Sequence, residues 1–198
     1  MNETLSVIKS RRSIKNFQPE QIKDTELEAI LEAGTYAPSA SNQQSWHFTV
    51  VQNKRLIGQL SEAIKKIYAM MPVSFLEQMK NDKKAHFLQQ IGNNEKVHLF
   101  HNAPTIVVIS GDKTEMYTVE NCSLAAGNMM NAAKSLDVGS CWVSGLPQLI
   151  DAEPDNQFIK ELNLPEGYKP VCVILLGYKA GADKKVAERK ENVVNYIK

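Results

Sequence analysis

No G-x-G-x-x-G follows an apolar run in this chain, and G-x-x-x-x-G-K-[ST], H-E-x-x-H and C-x-x-C are missing as well. Dedicated nucleotide loops, zincin-type metal sites and dithiol redox centres are therefore excluded as its source of chemistry. Cysteine is scarce: Cys122, Cys141 and Cys172 are odd in number, widely spaced and set in apolar stretches. That pattern suits reduced thiols in a core and implies a cytoplasmic protein. Neither sign of charge prevails, with 23 Lys plus Arg against 22 Asp plus Glu and a net charge of +1. No global field thus invites nucleic acid or an anionic membrane. No segment reaches the roughly 18 apolar residues of a membrane span, and MNETLSVIKSRR lacks the apolar run of a signal peptide. Repeats, low-complexity tracts and Gly/Ser linkers are absent too, so residues 1–198 are expected to form a single domain around one core.

What the chain does contain alternates between helical and extended patterns. DTELEAILEAGTY, from Asp24 to Tyr36, sets Thr25 and Glu28 at capping-box spacing and Leu27, Ile30 and Leu31 on one face, which predicts a helix. WHFTVVQ alternates as a strand that opens with two core aromatics, Trp46 and Phe48. Asn53 then caps KRLIGQLSEAIKKI, whose Ile57, Leu60, Ile64 and Ile67 recur at helical spacing. The polar stretch 72–94 predicts a helix and loop, and is the candidate for a lid. APTIVVISG is a β-branched run of the kind buried on both faces at a sheet centre. YTVENCSLAAGNMMNAAKSLDVG predicts a long helix with Cys122, Ala126, Met129 and Ala133 on one stripe, ending at Gly139. SCWVSG and KPVCVILLGY read as two more buried strands, separated by the helical DNQFIKEL. Long helices beside few strands, with no βαβ rhythm, make the fold class α+β with a central sheet.

Two short segments fit none of these elements. In SRRSIKNF, Arg11, Arg12 and Lys15 surround the hydroxyl of Ser13 at the end of the first helix. Arginine forks match a phosphate bidentately, but the same cluster also suits a solvated helix C-terminus. In APSASNQQSWHF, Pro38 and a run of small and amide residues make a turn between helix and strand. His98 and His101 stand at i, i+3 without a third ligand tied to them by sequence, and no metal site is expected. His47 can face either way, and Cys141 reads as a buried thiol.

RRSIKNF, APSASNQQSWHF, GSCWVSG and the late AERKENVV occur in an order and spacing that resembles the FMN-dependent nitroreductase family over essentially the whole chain. The resemblance implies a nitroreductase-like α+β fold: a central, mostly antiparallel sheet flanked by helices, in an intertwined homodimer with two FMN sites built by both subunits. Carried over residue by residue, Arg11 and Ser13 hold the phosphate, and Arg12 lies along the phosphate and ribityl chain. Lys15 approaches the pyrimidine edge, where its charge favours the reduced flavin anion. Pro38, Ser39, Ala40, Ser41 and Asn42 lie beside the partner's flavin, where bulk would obstruct it. Trp142, Val143, Ser144 and Gly145 lay backbone against the ring, with an amide of Ser144 or Gly145 directed at N5. Arg189 is a second phosphate cation with Lys185 or Lys190 as helpers, and Asn94, or equally Asn93, bonds the pyrimidine. The small-residue helix around Ala125 and Ala126 is the expected dimer interface.

Gln44, Ser45 and Trp46 stand where the family commonly has Gln-Pro-Trp, Leu146 where many members carry Phe, and Ala187 and Glu188 where Lys is frequent. The implied activity is transfer of reducing equivalents from NADH or NADPH through FMN to a nitroaromatic, quinone or similar small electron-poor acceptor. No side chain is required as acid or base. The alternatives are a flavin-binding or sensing protein with little turnover, or a dehalogenating or flavin-fragmenting branch of the same fold.

Overall fold

The computed structural model describes residues 2–70, 82–182 and 187–198; residues 72–81 of the candidate lid and Lys185 lie outside them. The elements in chain order are α1 (Glu3–Ser10), α2 (Asp24–Thr35), a 3-10 turn (Ala40–Asn42), β1 (Trp46–Val51), α3 (Lys54–Met70) and α4 (Asp82–Gly92). There follow β2 (Thr105–Asp112), α5 (Thr118–Ser135), β3 (Gly139–Val143), α6 (Gly145–Ala152), α7 (Gln157–Lys160) and β4 (Tyr168–Gly177). The strands form an antiparallel sheet in the order β1-β2-β4-β3.

The two central strands are continuous apolar runs because helices cover both of their faces. Ile106, Val108, Val173 and Leu175 point to one side, where they join Leu60, Ile64, Leu146 and Leu149 of α3 and α6. Val107, Ile109, Ile174 and Leu176 point to the other, against Ile30 of α2 and Met129 and Ala133 of α5. All of these side chains are essentially inaccessible, and each contributes about 1.5–3 kcal/mol of burial. Trp46 and Phe48 stack on each other, with ring centroids 6.3 Å apart, at the margin of the second cluster.

Several local expectations change. Lys23 is the N-cap of α2, so Thr25 lies inside the helix, and it is the Glu26 carboxylate that accepts the Lys23 N–H, at 3.2 Å. The α5 helix stops at Ser135 rather than Gly139: Asp137 takes a left-handed φ of 56° and Gly139 already belongs to β3. The helix α6 occupies the stretch between the strand SCWVSG and the helical DNQFIKEL, for which the sequence pattern predicts no element. Its signals were Leu146 and Leu149 at i, i+3 with Pro147 in the first turn, where a missing N–H costs nothing. Ala125 and Ala126 are buried within their own protomer, 0% and 1% exposed, so they are core residues and not the interface. The exposed face of α5 carries Val119 and Leu124 instead.

His98 has a local task. Its Nδ1 accepts the N–H groups of Phe100, at 3.2 Å, and Asn102, at 3.4 Å, in the turn that leads to β2. Among the described residues no group of three His, Cys, Asp or Glu side chains could hold a metal, and no helix is long and apolar enough to cross a membrane.

Candidate functional site

The arginine-rich segment begins where α1 runs out of intrahelical partners. Arg12 turns back on that end, its Nη1 donating to the carbonyls of Lys9, at 2.8 Å, and Arg11, at 2.6 Å. Arg11 is different: its Nη1 is fully buried and meets no acceptor. Such a donor left unpaired costs about 1–3 kcal/mol, and more when charged, a cost that an anion would remove. Both arginines line a cavity of about 210 Å³ together with Lys134, Asp137, Gly139, Ser140 and Lys179.

Ser13 and Lys15 follow on an extended, exposed strip that is stitched down on two sides. Ile14 N–H donates to Ser140 O at 2.9 Å, Gln18 N–H to Tyr178 O at 2.8 Å, and Ala180 N–H to Asn16 O at 3.0 Å. Gly139 permits this close approach. A Cβ there would stand 2.9 Å from Gly177 O and 3.1 Å from both Cγ atoms of Ile14.

From Ser140 the outer edge of β3 leads to Gly145, about 16 Å away at strand spacing. It passes the exposed Trp142 and the half-buried Val143. Ser144 is the N-cap of α6 and makes no side-chain cap bond, so the first amide N–H groups of that helix keep their donor capacity. Gly145 fits tightly over α3, where a Cβ would meet Ile64 Cγ2 at 3.0 Å and the Tyr68 hydroxyl at 3.3 Å. Cations at one end and backbone donors at the other thus share one strand edge.

The loop from Pro38 to Gln44 is held by a residue that no motif reading selected. Asn121, 1% exposed in the first turns of α5, accepts the Ala40 N–H through Oδ1 at 3.0 Å. Its Nδ2 donates to Gln43 Oε1 at 3.2 Å and to Ser45 Oγ at 3.0 Å. Gln44 N–H donates to Ser39 Oγ at 3.0 Å, and the Gln43 amide donates to Glu115. Ser41, Asn42 and Gln44 all have left-handed φ values of 48–56°, which the bonds to Asn121 and Ser39 sustain. Pro38, Ser41 and Asn42 are exposed, while Ser39 and Ala40 are half-buried.

One protomer does not bring these two halves together. The loop is tied to the N-terminal end of α5 and enters edge strand β1, whereas the Arg11 cavity abuts the C-terminal end of α5 and edge strand β3. Asn121 and Lys134 are about 20 Å apart along the helix, and three strand spacings add about 14 Å across the sheet. Asn94 is not drawn to either half: its Oδ1 accepts Lys96 N–H at 3.0 Å in the turn after α4, and Asn93 folds onto Gln89 O at 3.0 Å. Arg189 and Lys190 are exposed in the irregular segment 187–198, and neither lines the Arg11 cavity. Cys122, Cys141 and Cys172 are all buried, and burial pushes Cys122 and Cys172 up to about 12, so those two remain thiols.

A model of the nitroreductase family matches residues 8–178. The chain is 29% identical to an oxygen-insensitive NADPH nitroreductase of Helicobacter pylori strain J99 over 208 aligned positions, spanning 96% of this chain and 95% of that protein. A crystal structure of a nitroreductase with bound FMN from Bacteroides fragilis is 34% identical and superposes with a TM-score of 0.87, covering 100% of both chains. An FMN-bound nitroreductase from Desulfitobacterium hafniense is 28% identical with a TM-score of 0.84, again over 100% of both chains.

Proposed function

The chain belongs to the nitroreductase family, and from that premise we propose that it is an FMN-dependent NAD(P)H oxidoreductase acting on nitroaromatics, quinones or similar flat, electron-poor acceptors. The observation that carries this reading is the buried, unpartnered Nη1 of Arg11 at a cavity where four cationic side chains meet one carboxylate. The donor set suits a phosphate monoester, and the strand edge that leaves it ends at the N-terminus of α6, where the Ser144 side chain makes no cap bond.

When bound, FMN would supply the hydride chemistry that links NADH or NADPH to the acceptor. The protein's part is binding and electrostatics. Arg11 and Ser13 hold the phosphate, each charge-assisted bond contributing about 1.5–3 kcal/mol. Lys15 sets a positive charge toward the pyrimidine edge, where reduction builds negative charge. The amides of Ser144 and Gly145 would serve as donors to the ring, with the backbone of Trp142 and Val143 as its support. Cys122 and Cys172, protonated and buried, take no part in electron transfer.

The loop Pro38–Asn42 belongs to the flavin of a second copy. Its distance from Arg11 within one protomer supports a homodimer whose sites are each shared by two chains. Exposed apolar side chains are available to such an interface: Val119 and Leu124 on α5, and Val193, Val194, Tyr196 and Ile197 in the C-terminal segment. Burying them offsets the exposure.

The test is anaerobic mixing of the purified protein with NADH or NADPH. The yellow colour is expected to bleach within the mixing experiment and to return when a quinone or nitroaromatic is added. Stable colour in the presence of both nucleotides would make the chain a flavin-binding protein without turnover. A colourless protein that binds no added FMN would end the proposal.

A further inference from the structure

The hydrogen bonds around Asn121 run in one direction, and a carboxylate at their far end sets it. Glu115, half-buried in the turn between β2 and α5, accepts from the side-chain amide of Gln43. A carboxylate only accepts, so Gln43 presents its NH2 group to Glu115 and keeps Oε1 for its other side. That oxygen in turn fixes Asn121. Nδ2 donates to it at 3.2 Å and to Ser45 Oγ at 3.0 Å, which leaves Oδ1 for the Ala40 N–H at 3.0 Å. Each of the two amides has a donor at one end and an acceptor at the other, so reversing one would set donor against donor and acceptor against acceptor.

The chain of bonds ends on a strained backbone. Ala40 opens the 3-10 turn, and Ser41, Asn42 and Gln44 take φ values of 49°, 56° and 48°, a region that costs free energy for residues with a side chain. Asn42 N–H donates to Ser39 O at 3.1 Å and Gln43 N–H to Ala40 O at 2.9 Å, which closes the turn. The connection that carries Glu115 backs the loop a second time: Asp112 N–H donates to Ser45 O at 3.1 Å, and Thr118 Oγ1 donates to Asp112 O at 2.7 Å. The shape of the loop is therefore imposed from the β2–α5 connection, which lies outside every segment that pointed to a flavin.

Building on the shared flavin site read above, we propose that Glu115, Gln43 and Asn121 are positioning residues of that site: a directional chain of three side chains that holds residues 39–42 in the conformation that admits the flavin of a second copy. They act through the loop backbone. With the amides reversed, Asn121 would turn Nδ2 toward the Ala40 N–H, the turn would lose its anchor, and Ser41 and Asn42 would relax away from the left-handed region.

Full-length apoprotein of the wild type, Gln43→Glu, and Gln43→Glu combined with either Glu115→Gln or Glu115→Ala is titrated with FMN, and each is melted without ligand. Gln43→Glu sets two carboxylates against each other and is expected to weaken FMN by about tenfold, within the coupling range of residues in one hydrogen-bond network. Adding Glu115→Gln exchanges donor and acceptor at that contact while still offering Asn121 an acceptor. It should restore FMN affinity to within about twofold of wild type. Adding Glu115→Ala removes the repulsion without supplying a donor, and FMN should stay at least about threefold weaker than in the exchanged pair. The order of affinities should not follow the melting temperatures of the apoproteins. Undiminished FMN affinity in Gln43→Glu overturns the inference and leaves the cofactor reading intact. Equal recovery in the two combined variants reduces the effect to relief of repulsion and overturns it too, as do affinities that simply track the melting temperatures. A wild type that binds no FMN would instead remove the reading on which the inference rests.

Discussion

Asn121 illustrates how a single buried amide can govern a surface. It satisfies three groups of one loop from inside a helix, and its partners lie 76 to 81 residues away in sequence. An Asn on a helix stripe carries no sign of such partners until the chain is folded, which is why the loop was legible as small and irregular while its anchor was not. Arg11 and Ser13 were legible because charge and hydroxyl clustering survive in one dimension. His98 shows a different local effect. Burial is the main cause holding its imidazole below the ordinary histidine value, with Lys65 adding to the shift and Glu62 opposing it. Its Nδ1 must stay unprotonated to accept two backbone N–H groups. The unfolded chain takes up this proton first, so stability should fall as the pH drops through the histidine range near 6.5 and be independent of His98 above it. In His98→Asn that part of the slope should vanish from chemical denaturation measured across the same pH range.

At the scale of elements, the central strands and the capped α3 were readable, since an unbroken apolar run and an Asn ahead of a periodic stretch are local signals. Asn53 Oδ1 does accept the N–H groups of Arg55 and Leu56, at 3.0 and 3.2 Å. The short α6 was hidden because its eight residues follow a strand directly and start with Gly145. Gly139 was misread as a helix stop for a related reason: the sequence announces a glycine but not what approaches it. Its real neighbours are Gly177 O and Ile14. Gly139→Ala should therefore overpack this crossing at a cost of about 1–3 kcal/mol. Because Ile14 is bonded to Ser140 next to Arg11 and Ser13, the same change should weaken FMN. Thermal melts and FMN titration of this variant would reveal both losses, and a lowered melting temperature with undiminished FMN affinity would detach the strip from the site.

For the whole molecule, an α+β fold with a central sheet followed from patterns in the chain, while the antiparallel sheet flanked by helices and the division of the site were implied only by the family resemblance. Sequence order gives no distance between residue 11 and residue 40, and only the placement of β1 and β3 at opposite edges shows how far apart they are. Ala125 and Ala126 looked like an interface because small residues permit close helix packing. In the folded protein both are buried within their own protomer, Ala126 in the cluster under the chain's own sheet. The most direct test of a flavin site shared between two copies uses two defective variants. Arg11→Ala lacks the phosphate cation and Ala40→Trp blocks the small-residue loop, so each alone should purify with little flavin. When the two are unfolded together, refolded with FMN and compared with each refolded alone, mixed dimers should regain one intact site, made of Arg11 from one chain and Ala40 from the other. Flavin absorbance and its anaerobic bleaching by NADPH should then reappear at up to one FMN per two chains in those dimers. Mixed dimers that stay as colourless as their parents would contradict the account and place the whole site within one chain.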